Sequence, residues 1–93
     1  MFTQKGILQK LRREERKLLQ QQGFEKEWRK LRTRFKKERQ SEIHLYKDSC
    51  PEFYKGPLYV AEVISELPDG LEYVVVKPNV DEVIRELEDY LNE

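Results

Sequence analysis

Apolar residues recur at helical spacing in three stretches of this chain, and cluster as strands between the second and the third. In residues 4–22, Ile7, Leu8, Leu11, Leu18 and Leu19 gather on one side at the helical period. The stripe is interrupted in its middle turn, where Glu14 and Glu15 stand in place of apolar residues. In residues 24–40, Phe24, Trp28, Leu31 and Phe35 fall at i, i+4, i+7 and i+11, a clean single face. Were the helix continuous, the second stripe would lie about 150° around the axis from the first. One partner surface could not bury both. Gly23 stands between them as a stop signal, so the pattern predicts an αα-hairpin turning at residues 21–23. The alternative is one long helix that touches two different surfaces.

Residues 41–57 read mostly as a connector, broken by Pro51, Gly56 and Pro57, with Ile43–Tyr46 either a short strand or the tail of the second helix. Residues 58–66, rich in β-branched and aromatic side chains, predict a strand. The LPDG sequence at 67–70 predicts a hairpin turn, since Pro68 fixes φ and Gly70 accepts a left-handed conformation. Residues 71–77 form the return strand, ended by Pro78, which has no ladder donor. A third helix opens at Asn79, with Asp81 and Glu82 suited to its positive end and Glu82 at the capping-box position. Val80, Val83, Ile84, Leu87, Tyr90 and Leu91 give it one continuous apolar face. The expected fold is α+β: a basic N-terminal αα-hairpin, a two- or three-stranded antiparallel sheet, and an acidic C-terminal helix packed on the sheet. Residues 1–40 would be the hairpin and 41–93 a β-hairpin plus helix, together one compact domain.

Charge changes this picture. Residues 1–40 carry 14 Lys/Arg against 5 Asp/Glu, a net of +9, and residues 41–93 carry 4 against 13, a net of −9. The formal total of zero conceals a polarised chain, and local fields decide what a surface attracts. Charged residues make up 39% of the 93 positions, well above the ~25% of ordinary domains, so the core is modest and the surface is strongly solvated. Such charge segregation in a short chain is a style common among phage and mobile-element proteins. A lone cysteine, Cys50, argues against a disulfide framework, and no run approaches the ~20 apolar residues of a membrane span. A soluble, cytoplasmic protein is expected.

Candidate chemistry follows from the charge. Arg12, Arg13, Arg16 and Lys17 on the first helix, and Lys26, Arg29, Lys30, Lys36 and Lys37 on the second, point away from the apolar stripes. Basic helical faces neutralise phosphates, so one reading is a nucleic-acid-binding surface over residues 10–39. The ordinary reading is a solvated face, diluted by the pairs Glu14–Lys17, Glu25–Arg29 and Glu27–Lys30. On the last helix Glu82, Glu86, Glu88 and Asp89 form an acidic counterpart. Because both poles then have a use, the favoured function is a non-enzymatic protein–protein interaction or assembly protein, self-associating through oppositely charged halves, with nucleic-acid binding as the alternative. Tyr46, Phe53, Tyr54 and Tyr59 surround two prolines and are candidates for an aromatic contact loop, though rings covering one end of a core are commoner. Glu42, His44, Asp48 and Cys50 lie close in sequence, but one histidine and one cysteine at this spacing match no metal or nucleophile motif. The glycines are scattered and form no phosphate loop. No catalytic residue, cofactor, metal, small-molecule substrate or membrane partner is expected.

Overall fold

Two helices, a three-stranded antiparallel meander and a third helix follow one another: α1 (Gln4–Gln22), α2 (Glu25–Arg39), β1 (Ser41–Ser49), β2 (Pro57–Ser65), β3 (Leu71–Lys77) and α3 (Val80–Asn92). This α+β architecture, with an N-terminal helix pair and a C-terminal helix on the sheet, is the one expected. The computed structural model describes residues 4–49, 52, 55–65 and 70–93.

The chain breaks between α1 and α2 where the two stripes diverge. Gly23 takes φ +79°, and the N–H groups of Gly23 and Phe24 both donate to the Leu19 carbonyl, at 2.9 and 3.0 Å. That left-handed residue closes the end of α1 on the Leu19 carbonyl and turns the chain. A single long helix is therefore excluded. Leu18 and Leu19 of α1, and Trp28, Leu31 and Phe35 of α2, are buried in one shared core. Ile7, Leu8 and Leu11 belong to α1 by backbone, but their side chains lie outside the described residues. α2 closes on Gln40 at φ +53°, whose N–H donates to the Phe35 carbonyl.

The presumed connector is largely strand. β1 runs nine residues and pairs along its whole length with β2, from Ser41 opposite Ser65 to Ser49 opposite Pro57. Its inward positions, Ser41, Ile43 and Leu45, are buried, while Glu42, His44 and Tyr46 occupy the other face. That is a period of two carried by only two apolar residues, which reads as loop until a partner strand is known. β2 pairs with β3 from Tyr59 opposite Lys77 to Ile64 opposite Leu71, with an irregularity at Val63/Ile64. At the hairpin end Ser65 N–H donates to the Gly70 carbonyl at 2.7 Å, and Gly70 takes φ +73°. Pro68 and the rest of 66–69 lie outside the described residues.

All three helices feed one core against a single face of the sheet. α2 packs on β1, α3 on β3, β2 and α2, and α1 on β1. Ile43, Leu45, Tyr59, Ala61, Val63 and Val75 meet Val80, Val83, Ile84, Leu87 and Leu91 there. Leu87 is fully buried, so Leu87→Ala would cost about 2–5 kcal/mol. Tyr90 is stacked with Tyr73 at 4.4 Å and Phe35 at 6.2 Å, and the Arg39 guanidinium sits 4.5 Å over its ring. Asn79 caps α3, but its side-chain amide donates to Glu82 Oε2 at 2.9 Å and caps no backbone N–H. No helix among the described residues is long and apolar enough to cross a membrane.

Candidate functional site

The interruption in the leucine stripe of α1 is where the first candidate site begins. Glu15 is buried at 6% exposure, and its Oε1 accepts the Leu45 N–H at 2.8 Å. Leu45 lies opposite Ala61 in the β1–β2 ladder, yet its N–H points away from β2. Such outward groups alternate along an edge strand and invite foreign strands unless covered. Here α1 supplies the cover. Burial pushes the Glu15 carboxyl above its ordinary range, opposed by the Leu45 N–H and by the Arg32 and Arg12 charges. The Trp28 indole N–H is buried beside it and opposes the shift weakly, although it completes no hydrogen bond.

Above this carboxylate, α1 and α2 diverge and leave a groove. One depression of about 270 Å³ is lined by Arg12, Arg29, Arg32, Thr33, Lys36, Ser41, Glu42, Ile43 and His44. A second, of about 200 Å³, adjoins it and shares Arg12, Arg29 and Arg32, adding Arg16, Glu15, Glu25, Leu19 and Trp28. Among the described residues only Arg29 of these cations has an ion-pair partner, Glu25 at 3.7 Å, and its side chain remains 77% exposed. The Glu14–Lys17 and Glu27–Lys30 pairs do not form among the described residues, whereas Arg34 and Glu38 pair at 2.9 Å. The fold thus gathers Arg12, Arg16, Arg29 and Lys36 from the nine sequence candidates. It leaves Arg13, Lys17, Lys30 and Lys37 exposed elsewhere on the helices, and places Lys26 beside Arg29 in a shallower depression near Gly23. Arg32 escaped the sequence reading. It follows Leu31 directly and is one turn from Trp28, so it sits at the margin of the apolar stripe, where a back-of-helix criterion passes over it.

The second candidate site is the other face of the sheet. There Glu42, His44 and Tyr46 of β1 stand beside Leu58, Val60, Glu62 and Ile64 of β2 and Val74 and Val76 of β3, as the registers dictate. Among the described residues only α1 approaches this face, through Glu14 and Glu15 beside β1, and the β3 side stays open. Val74 is 42% exposed, Val76 49% and neighbouring Leu71 58%. Val60 is buried yet lies outside the core cluster. An antiparallel sheet with one solvated face normally shows polar residues there, so this apolar content is unusual. The Tyr46 hydroxyl donates to Glu62 Oε1 at 2.6 Å, and that bond, with burial, pushes its pKa up to about 12. Between α1 and this face lies a cavity of about 370 Å³ bounded by Glu14, Glu15, His44, Leu45, Tyr46, Lys47, Glu62 and Ile64. Burial holds His44 below the ordinary imidazole range, aided by Arg12 and Arg32 and opposed by Glu42, 3.8 Å away, and by Glu62.

The remaining candidates are dispersed. Glu88 and Asp89 are exposed on α3; Glu82 accepts from Asn79; Glu86 accepts from Tyr73 and pairs with Lys77 at 3.3 Å. The basic α2 and acidic α3 are neighbours within one chain, joined by Arg34 donating to Asn92 and Arg39 donating to the Tyr90 carbonyl, both at 3.1 Å. Tyr46 and Tyr59 lie on opposite faces of the sheet, Tyr59 buried with its hydroxyl accepting from Gln22, so these two do not form one contact loop. Phe53, Tyr54 and Cys50 lie outside the described residues. Among the described residues no three His, Cys, Asp or Glu side chains are placed to hold a metal ion. No family model, curated protein or solved structure matches this chain.

Proposed function

We propose that this chain is a small non-enzymatic interaction protein that docks another polypeptide on the uncovered face of its sheet. The exposure of Val74 and Val76 on that face supports the reading. Contiguous apolar surface rimmed by polar groups is the usual mark of a protein-binding patch. Removing such surface from water favours association by roughly 25 cal/mol per Å² before the costs of ordering. The rim narrows the partner. By register Glu42, Asp48 and Glu62 share the face, and they outnumber the one described cation beside it, Lys47, which lines the cavity next to α1. The complementary surface is therefore an amphipathic segment with an apolar stripe flanked by cations.

Amide shift mapping with a synthetic Leu/Lys amphipathic peptide tests this. Shifts at Val60, Ile64, Val74 and Val76, lost in Val74→Lys with Val76→Lys, support it. Equal binding of a Leu/Glu peptide, or shifts confined to α3, overturns it. Light scattering at low and high salt separates the other occupant: a dimer that the same substitutions dissolve would make a second copy of this chain the natural partner and displace the cationic segment.

A further inference from the structure

We infer that the groove between α1 and α2 binds the phosphodiester backbone of duplex nucleic acid, independently of the sheet face. Arg12, Arg16, Arg29, Arg32 and Lys36 converge on two adjoining depressions, and three of the arginines serve both. Two linked pockets that share cations suit successive phosphates on one strand better than a single isolated anion. The guanidinium fork matches phosphate oxygens in a planar, paired arrangement that lysine does not offer. These side chains are also available. Apart from the long Glu25–Arg29 contact, none of the five is held by an ion pair among the described residues.

The groove also says which form of nucleic acid it fits. Single strands are held by stacking bases on exposed aromatic rings. Two rings line the groove: Trp28 is 1% exposed and committed to the core, and His44 has only 16% of its side chain exposed, so neither offers an open stacking platform. Contacts are thus to phosphates alone, which positions a protein on a duplex without reading its sequence. Three carboxylates, Glu15, Glu25 and Glu42, line the same depressions and offset part of this field, but the five cations outnumber them.

Fluorescence anisotropy on the intact protein tests the inference, with a mixed-sequence DNA duplex, the matching single strand and polyglutamate as probes. Duplex affinity is expected to fall steeply with salt, and Arg12→Gln with Arg32→Gln to reduce the log–log salt slope by about 2, roughly one per phosphate contact removed. Lys17→Gln with Lys37→Gln removes the same charge outside the groove and should change the slope less. All four positions are exposed, so circular dichroism should register no loss of fold. Absence of duplex binding at low salt overturns the inference. So does an equal effect of the two pairs, which would mean diffuse attraction. Tighter binding of the single strand, or of polyglutamate, would replace the duplex by another ligand class. Retention of duplex binding in Val74→Lys with Val76→Lys would keep this site distinct from the sheet face.

Discussion

Glu15 shows how much one residue can carry. A glutamate in an apolar stripe is costly to bury, and it remains because its oxygen takes the N–H that the edge strand cannot give to a neighbour. Two substitutions separate its roles. Glu15→Leu leaves the Leu45 N–H buried without a partner and should cost about 1–3 kcal/mol in chemical denaturation. Glu15→Gln keeps the acceptor and removes the charge, and should be no less stable than the native chain at neutral pH. An equal loss in both variants would show that the charge, and not the acceptor, matters. The pH dependence has a definite sign. The folded carboxyl titrates above its ordinary 4.5, so its stabilising contribution is fully present below that value and is lost as pH rises through the raised one. In Glu15→Gln that part of the profile should flatten. Tyr46 gives a second readout. Absorbance titration should find one tyrosine ionising near pH 12, moving back toward 10 in Glu62→Gln. A Tyr46 titration unchanged by that substitution would deny the link across the open face.

At the scale of elements, local signals were legible where residue type and period agreed. The α1–α2 break could be read from two stripes that no single surface could bury, with Gly23 between them. Two positions with positive φ test the backbone part of that reading. Gly23 at +79° has open space around it, so Gly23→Ala would suffer only from its conformation, a loss of about 1 kcal/mol in thermal unfolding. Gln40 at +53° is the reverse case, and Gln40→Gly should add roughly 1 kcal/mol by relieving the same strain. A destabilised Gln40→Gly would mean that the Gln40 side chain does more than its backbone geometry requires. β1 was not legible in full. Only Ile43 and Leu45 mark its inward row, and the charged residues between them belong equally to loops. Its length is set by pairing with β2, a long-range contact that no local window contains.

For the molecule as a whole, the charge asymmetry takes a different form from the one the linear count suggested. The basic and acidic helices are neighbours, but Arg34 and Arg39 reach the neutral Asn92 amide and Tyr90 carbonyl, and no ion pair joins the two helices among the described residues. What remains are two separate surfaces, an arginine-lined groove and an apolar, acidic sheet face. Both touch Glu42 and His44 of β1, but the groove cations lie on α1 and α2 and the exposed valines on β3, so the effects of substituting them should add. A chain carrying Arg12→Gln, Arg32→Gln, Val74→Lys and Val76→Lys should lose duplex and peptide binding to the same extents as the separate pairs, by anisotropy and shift mapping. A combined loss far from the sum would mean that the two surfaces act as one site.

By itself the sequence determined the three helices, the β2–β3 hairpin strands and the amphipathic faces that must be buried, because each follows from spacing and turn chemistry within a few residues. It also determined that positive charge lies behind the helical stripes. The tertiary structure alone decided which cations meet, why Glu15 is buried, and which face of the sheet stays bare. Those outcomes depend on how elements distant in sequence are packed: α1 against the β1 edge, α2 beside α1, and α2 and α3 on the core side of the sheet.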